Sequence, residues 1–321
     1  MTLKALLMGS AAAMFAVSSA NAADAVVAEP EAVEYVKVCD TYGAGFFFIP
    51  GTETCLKLSG SARIQYHYAR RVNNTSTGAL SYRARVNFDA RNETDYGTLR
   101  SFIRIEGNGN DRGFGNSVVN IHTATISLGG LTMGFGDTFF TQNTEYGYPG
   151  NMLDGLYDYD QTIFAHYTYA ANGFSGTVGI QGESNNGTDT AFDYYAGASY
   201  AGSFGRIAGT VIYDTSAGAS AYSILGSLRM IEGFRLDAWY QGHNGATQYV
   251  DNGTYQWGIG AHYSITSNFG VGVGYSNAQA SAGQYTIGFN WQPVSGMNVQ
   301  VDYRNRRFVD SAYRIRISRS F

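Results

Sequence analysis

The chain has 321 residues and a formal net charge of −4, and it carries 41 glycines, 25 tyrosines and 19 phenylalanines but only four prolines. The near-neutral balance, without a long basic tract, argues against a nucleic-acid partner. A mean hydropathy of −0.18 is too polar for a helical membrane protein but suits a barrel, in which only half of each strand meets lipid.

The first 22 residues have the features of a secretory signal peptide. Lys4 precedes an apolar run from Ala5 to Val17, and Ala20-x-Ala22 matches a signal-peptidase site. We therefore expect export by the Sec pathway and a mature chain that begins at Ala23. No later stretch contains 18 consecutive apolar residues, so a membrane-spanning helix is not expected.

The next segment, residues 23–55, is predicted to be a lead-in to the main domain. It contains both cysteines of the chain, Cys39 and Cys55. In an oxidising compartment they are expected to form a disulfide that closes the loop between them. A metal-binding or catalytic pair is the weaker alternative, because no histidine lies near them in sequence.

Residues 56–68 show the pattern that organises the remaining chain. Apolar or small residues occupy every second position, and the intervening residues are polar or charged. This period of two predicts a strand with one apolar and one polar face. A strand that crosses a bilayer at a slant needs about 9–11 residues, and the 13 residues here are sufficient.

The same alternation recurs between turn signals and predicts sixteen strands, an even number as a closed antiparallel barrel requires. We therefore predict an all-β fold for residues 56–321, a 16-stranded antiparallel transmembrane β-barrel with a constriction loop folded into the lumen. The predicted strands are 56–68, 80–90, 99–106, one ending at 128, 131–136, 163–170, 174–181, 193–200, 206–214, 222–230, 234–241, 255–263, 269–275, 285–291, 297–304 and 313–321.

The connections between these strands alternate in length. Short joins follow even-numbered strands, at 129–130, 171–173, 231–233 and 292–296, and longer ones follow odd-numbered strands, at 70–79, 107–117, 138–161 and 242–254. Outer-membrane barrels combine short periplasmic turns with long external loops. A soluble β-sandwich would explain neither this asymmetry nor the aromatic residues that end many strands on the apolar side.

Arginine dominates the basic residues, with 18 arginines against three lysines. On the inward face, seven arginines fall on the first three strands and the last strand, which are neighbours in a closed barrel. A planar guanidinium remains charged and can be held rigidly, so it suits a fixed internal field. Solvation, or pairing with Asp89 and Glu106, is the alternative. The predicted basic pore wall consists of Arg63, Arg83, Arg85, Arg100, Arg104, Arg314 and Arg316.

The longest connection, 138–161, contains acidic and aromatic residues but no basic residue. A loop of this length is uncommon unless it is functional. Folded into the lumen, it would set carboxylates against the arginine wall and sort solutes by size and dipole. An ordinary external loop is the alternative. The predicted acidic residues are Glu145, Asp154, Asp158 and Asp160.

Catalytic and metal-binding patterns are not evident. The five histidines are scattered over separate strands, and no Gly-x-Ser-x-Gly motif occurs. We therefore expect no enzymatic activity, cofactor or metal.

The chain resembles the general porins of the alphaproteobacterial outer membrane, of the Brucella, Bartonella and rhizobial type. The resemblance spans the whole chain, and it is carried by VKVCD at 36–40, GAGFFFIPGTETC at 43–55 and LKLSG at 56–60. It implies a homotrimer of barrels in outer-membrane lipid and lipopolysaccharide. It also implies passive diffusion of small hydrophilic solutes and ions, with the third external loop as the constriction.

Two features of the last strand bear on this resemblance. The terminal Phe321 fits the porin signal for the barrel-assembly machinery, whereas the outward Arg319 is unusual against lipid and is expected to extend to the periplasmic interface. The sequence therefore predicts an outer-membrane porin. A plugged barrel that serves as a structural or adhesive surface protein is the alternative.

Overall fold

We describe the fold from a computed structural model. The described residues are 37–71, 73, 75–110, 118–143, 161–182, 191–250, 253–307 and 309–321. The predicted signal peptide, residues 23–36 of the lead-in segment and the four predicted loop carboxylates (Glu145, Asp154, Asp158 and Asp160) lie outside these ranges.

The regular alternation of apolar and polar residues produces long strands, because successive side chains in a strand point to opposite faces. A single 3-10 turn, Asp40–Tyr42, precedes the first strand, and a short helix α1 (Phe139–Asn143) follows the sixth. The strands are β1 (Phe46–Phe48), β2 (Cys55–Arg71), β3 (Ser76–Asn92), β4 (Leu99–Asn110), β5 (Val118–Leu128), β6 (Leu131–Asp137), β7 (Gln161–Ala171), β8 (Phe174–Gly182), β9 (Phe192–Gly202), β10 (Gly205–Asp214), β11 (Ala219–Ile231), β12 (Phe234–His243), β13 (Tyr255–Thr266), β14 (Phe269–Ala278), β15 (Ser281–Trp291), β16 (Met297–Arg306) and β17 (Asp310–Ser320).

Strands β2 to β17 form a closed antiparallel barrel of sixteen strands. Each pairs with its neighbours in sequence, and β17 closes the ring against β2, from Asp310 opposite Arg71 to Ser320 opposite Ser61. The backbone N–H of the terminal Phe321 donates to the Gly60 carbonyl at 3.1 Å, and Gly60 N–H donates back at 3.0 Å. The predicted barrel and its closing pair of strands are confirmed.

The two faces of the strands differ as the sequence predicted. Outward residues such as Ile64, Ile163 and Val178 are more than 60% exposed. Inward residues are mostly polar, and several of them, including Gln256 and Ser276, are fully buried. The exterior is thus an apolar belt suited to lipid, while polar groups line the interior. Among the described helices, none has the length and apolarity to cross a membrane.

The two ends of the barrel also differ. One end has tight turns, five of which have only two residues, at 129–130, 172–173, 203–204, 232–233 and 267–268. The other end carries the longest connections, at 138–160, 183–191 and 244–254. The predicted asymmetry holds for these loops. It is weaker elsewhere, because the loop-side connections at 215–218, 279–280 and 307–309 are short, and the long join predicted at 70–79 has only four residues, 72–75.

Outward aromatic residues form a band near the loop-side end. Tyr222 stacks on Tyr240, and Tyr240 on Tyr255, with ring centroids 6.1 and 6.4 Å apart. Tyr303 contacts both Tyr285 and Tyr313, at 6.3 and 5.0 Å. Amphipathic tyrosines of this kind suit the boundary between hydrocarbon and headgroups.

The sequence missed the short strand β1. It pairs with the first residues of β2, Phe46 opposite Lys57 and Phe48 opposite Cys55, on the edge that β17 leaves uncovered. The predicted Cys39–Cys55 disulfide is confirmed, with a Cα–Cα separation of 6.0 Å. The hairpin formed by β1 and the start of β2 therefore covers backbone groups that β17 leaves unpaired, which removes an exposed sheet edge.

Charged residues of the barrel hold this hairpin in place. The Arg91 guanidinium lies 5.0 Å from the Phe46 ring centroid, and Lys57 Nζ donates to the Ala44 carbonyl at 2.9 Å. Burial, reinforced by a hydrogen bond to Glu93, raises the pKa of the Tyr42 phenol.

Candidate pore lining

The seven predicted arginines come together on one sector of the inner surface. Because β17 pairs with β2, and β2 with β3, their side chains occupy four adjacent strands. Arg63 lies directly opposite Arg83 in the β2–β3 register and opposite Ser318 on β17. We call this sector of β2, β3, β4 and β17 the arginine wall.

Asp89 on β3 joins two guanidinium groups of the arginine wall. Arg100 donates to both of its oxygens, at 2.8 and 2.9 Å, and Arg91 does the same at 2.9 and 2.8 Å. These bidentate contacts hold both guanidinium planes in a fixed orientation. The sequence analysis missed Arg91, which has the same inward parity as Arg83, Arg85 and Asp89 and could have been found from it.

Glu106 on β4 is the second such carboxylate. It pairs with Arg85, and its Oε2 lies 3.9 Å from Arg83 Nη1, while Asn108 Nδ2 donates to its other oxygen at 2.6 Å. His122 on β5 extends the group, with Nε2 lying 3.5 Å from Arg85 Nη2. The alternative of paired inward charges therefore applies to Arg83, Arg85 and Arg100.

Two further arginines are oriented by neutral amides. Arg104 Nε donates to Asn87 Oδ1 at 2.9 Å, and Arg316 Nε donates to Gln65 Oε1 at 2.8 Å. The Phe102 ring lies between Arg100 and Arg104, with its centroid 4.9 and 5.6 Å from the two guanidinium carbons. Amides and rings fix a guanidinium without cancelling its charge.

Arg314 on β17 differs from the other arginines because it is buried. Its Nη2 lies 2.7 Å from Asp302 Oδ2 on β16, and its Nε donates to the same oxygen at 2.8 Å. Its side chain is 8% exposed and that of Asp302 is fully buried. Arg314 therefore supports the wall structurally and does not face the water-filled lumen as the exposed arginines do.

The opposite sector, formed by β8 to β15, carries mostly neutral polar groups on its inner face. Gln256 Nε2 donates to Gln241 Oε1 at 2.5 Å, and Thr286 and Gln284 are likewise nearly buried. We call this sector the amide wall. Asp193, Asp214 and Asp237 also lie in it, and each is at most 2% exposed.

The root of the longest connection lies on the amide wall. The Phe139 ring in α1 stacks on Tyr195 of β9 with centroids 5.0 Å apart. Asn143 Nδ2 donates to the Gly209 carbonyl at 2.8 Å and to Thr210 Oγ1 at 2.9 Å. A Cβ at Gly197 would lie 2.5 Å from the Phe139 ring, so this glycine permits the approach. The connection therefore starts along the inner surface.

A second connection, the one that follows β12, lies against the inner surface of the barrel, which was not predicted from the sequence. Residues 244–250, which we call the strap, follow β12 and pack against the inner face of the amide wall. Tyr249 and Val250 of the strap are 2% and 3% exposed. The signal available in the sequence was an aromatic and a β-branched residue side by side in an otherwise polar loop.

Within the described part of the chain, no group of three or more histidine, cysteine, aspartate or glutamate side chains is arranged to hold a metal ion. His122 and His166 are instead engaged by neighbouring hydroxyls, with Thr123 Oγ1 and Tyr195 Oη lying 3.1 and 3.0 Å from their respective Nδ1 atoms.

The chain is similar to a known protein family and to named relatives. The sequence model of a family described as a porin subfamily matches residues 24–316. Porin Omp2b of Brucella canis is 37% identical over 292 residues, covering 80% of this chain and 78% of the relative. Porin Omp2b of Brucella suis biovar 1 is 37% identical over 291 residues, with the same shares of each chain.

Solved structures resemble the fold. The outer membrane channel DcaP of Acinetobacter baumannii superposes with a TM-score of 0.66 at 15% identity, covering 85% of this chain and 99% of that one. A mutant of Rh. blastica porin superposes with a TM-score of 0.59 at 14% identity, covering 83% of this chain and 100% of that one. At these identities the likeness concerns the fold alone.

Proposed function

Because this chain belongs to the porin subfamily and forms a general porin channel in the outer membrane, we propose that small hydrophilic solutes and ions cross its lumen by passive diffusion along the arginine wall. The observation that carries the proposal is the sidedness of the lining. Seven guanidinium groups lie on four adjacent strands, and the buried polar side chains across the barrel from them are mostly neutral hydroxyls and amides.

The physical effect of this sidedness is a field directed across the channel. Water between low-dielectric walls screens charges less than bulk water does, so a fixed row of guanidinium groups attracts anions and orients dipoles. Asp89 and Glu106 hold several of these groups rigidly, which keeps the field in one direction. Arg63, Arg83, Arg85, Arg100, Arg104 and Arg316 are the proposed pore-lining cations, and Arg314 supports them from the wall.

We further propose that the 138–160 connection is the constriction loop and that Glu145, Asp154, Asp158 and Asp160 line it. The support is the position of its root, because α1 leaves β6 and lies against β9 and β10, on the side of the barrel across from β2. Carboxylates that follow this root would then face the arginine wall. Opposite charges across a narrow passage sharpen discrimination by charge and dipole.

Single-channel recording in planar bilayers tests the function. We expect the purified, refolded protein to insert and give stable open steps with ohmic conductance. Folded protein that gives no steps would instead support the plugged barrel, a structural or adhesive surface protein. Far-UV circular dichroism and heat-modifiable gel mobility establish that the protein tested is folded.

Assembly is a separate proposal, since it depends on surfaces outside one barrel. We propose a homotrimer in outer-membrane lipid and lipopolysaccharide, exported by Sec with cleavage before Ala23 and recognised by the barrel-assembly machinery through Phe321. The apolar outer face and the pairing of Phe321 with Gly60 support it. Light scattering in detergent measures the subunit number, and N-terminal sequencing of the mature protein locates the cleavage.

A further inference from the structure

The strap crosses the inner surface in steps, one strand at a time. Asn244 N–H donates to the Ser220 carbonyl of β11 at 3.0 Å, and Gln248 N–H donates to Asp214 Oδ2 of β10 at 3.2 Å. Tyr249 then reaches Asp193 of β9 and Gln181 of β8. From β12 to β8 is four strand spacings, or about 19 Å of wall.

Tyr249 is the most deeply buried residue of the strap. Its hydroxyl donates to Asp193 Oδ2 and accepts from Gln181 Nε2 at 2.9 Å. Gln248 Nε2 supports the same carboxylate at 3.2 Å. Burial and the neighbouring Asp193 raise the pKa of the Tyr249 phenol, so the hydroxyl remains a donor over the whole physiological range.

Below its hydroxyl, Tyr249 packs into an apolar cluster on the lumen side of the wall. This cluster includes Ile212 of β10 and Phe140 of α1, and the Phe140 ring centroid lies 5.9 Å from that of Tyr249. The strap and the root of the 138–160 connection therefore touch each other inside the barrel. The strap lies at the loop-side mouth, since its partners Asp193, Asp214 and Gln181 are all within two residues of the loop-side ends of their strands.

We propose that the strap narrows the loop-side entrance along β8 to β11 and so sets the upper size of the solutes that the channel admits. Tyr249 is the positioning residue that holds the strap there. This rests on the proposed function in so far as solutes pass through the lumen. A loop that pointed away from the barrel would leave Tyr249 and Val250 in water, and it would leave the carboxylates of Asp193 and Asp214 without its donors.

The experiment uses three variants of the full-length protein. Replacing residues 245–252 with a short Gly-Ser turn removes the strap. Tyr249→Phe keeps the ring in the apolar cluster and removes the hydroxyl, and Tyr213→Phe is the matched control. Tyr213 also lies near the loop-side end of β10, but it faces outward and is 45% exposed.

Conductance and solute size are the first measurement. We expect the strap deletion to raise single-channel conductance and to admit larger sugars in liposome-swelling assays. Tyr249→Phe should increase current fluctuations in the open channel, and Tyr213→Phe should match the wild type. If the wild type conducts and the strap deletion changes neither the conductance nor the size cut-off for sugars, this inference is overturned and the proposed function is not. A wild type that never conducts would remove the proposed function instead.

A thiol placed at Val250 reads the position of the strap without relying on conductance. Both native cysteines are joined in the disulfide, so a Val250→Cys side chain supplies the reactive thiol. A charged, membrane-impermeant thiol reagent should modify this thiol slowly. Adding Tyr249→Phe removes the hydrogen bond to the Asp193 carboxylate, and because a hydrogen bond to a charged group contributes about 1.5–3 kcal/mol, the modification rate should rise at least about tenfold. A rate that is already fast in the Val250→Cys protein, or unchanged by Tyr249→Phe, would refute the anchoring role.

Discussion

The arginine wall and the amide wall line the same lumen but satisfy their polar groups differently. On the arginine wall, carboxylates such as Asp89 bridge guanidinium groups of neighbouring strands. On the amide wall, side-chain amides bond to one another, and the strap and α1 cover part of the surface. Most guanidinium groups of the lining therefore lie on the arginine wall, whereas the strap and α1 pack on the amide wall, where Asp193 and Asp214 accept hydrogen bonds from the strap.

The physical reason for this difference is the cost of desolvation. A guanidinium that faces water retains part of its hydration, whereas a buried one needs a close partner. Arg314 shows the limit, since it is nearly buried and has Asp302 against it. Neutral groups lose less on burial, and the two carboxylates that the strap covers, Asp193 and Asp214, are compensated by hydrogen bonds from it. Substitutions test whether the two walls differ in their effect on the free energy of unfolding and on ion selectivity as they differ in composition.

The largest expected effect concerns the buried pair. Asp302→Ala leaves the Arg314 guanidinium without its carboxylate and should destabilise the barrel by about 3 kcal/mol. Ser276→Ala, at an equally buried position of the amide wall, should cost about 1 kcal/mol or less. Urea-dependent unfolding followed by tryptophan fluorescence measures both. Equal losses would mean that the arginine wall is no more sensitive than the amide wall.

The next effect concerns the proposed constriction. Replacing Asp154, Asp158 and Asp160 together with asparagine removes three negative charges and should shift selectivity toward anions. We expect the cation-to-anion permeability ratio to fall severalfold, with little change in conductance at high salt, where charges are screened. Zero-current potentials in a salt gradient measure the ratio. An unchanged ratio would remove the constriction-loop proposal but not the channel.

A smaller effect is expected from a single charge of the arginine wall. Arg100→Gln removes one guanidinium, and Asp89 keeps its bidentate contact with Arg91, so the fold should be retained. The permeability ratio should rise about twofold, the effect of one charge a few ångströms from the permeating ion. If the ratio stays constant while the protein remains folded, Arg100 does not contribute to the field.

The smallest effect is expected on the amide wall. Gln256→Ala removes the hydrogen bond to Gln241 and should cost about 1 kcal/mol of stability, with no change in the permeability ratio. The same unfolding and zero-current measurements apply. A shift in selectivity as large as that of Arg100→Gln would show that the two walls contribute alike to ion discrimination.

Much of the fold was predictable because each strand carries its own pattern. In residues 56–68 the alternation identifies a strand and its inward face without reference to any partner. Once the strands were ordered, closure of β17 on β2 placed Arg314 and Arg316 on the strand next to Arg63. The disulfide was predictable as well, since Cys39 and Cys55 are the only cysteines of the chain.

Pairings and packing were less accessible. Parity placed Arg83, Arg85 and Arg100 on the inner face, but it did not show that Glu106 and Asp89 hold them, because that depends on register across β3 and β4. The strap was missed for a similar reason. Tyr249 and Val250 are the local hint in residues 244–250, but they do not show which strands the loop packs against.

The sequence by itself determined the barrel, its inward and outward faces and the location of its arginines, because strand periodicity is a local property of the chain. The tertiary structure decided which arginines are bridged by carboxylates, where β1 covers the edge of β2, and that the strap returns to the amide wall. These depend on contacts between residues far apart in sequence, such as Tyr249 with Gln181 and Asp193. Such contacts depend on how the strands between them pair, which no local stretch of sequence encodes.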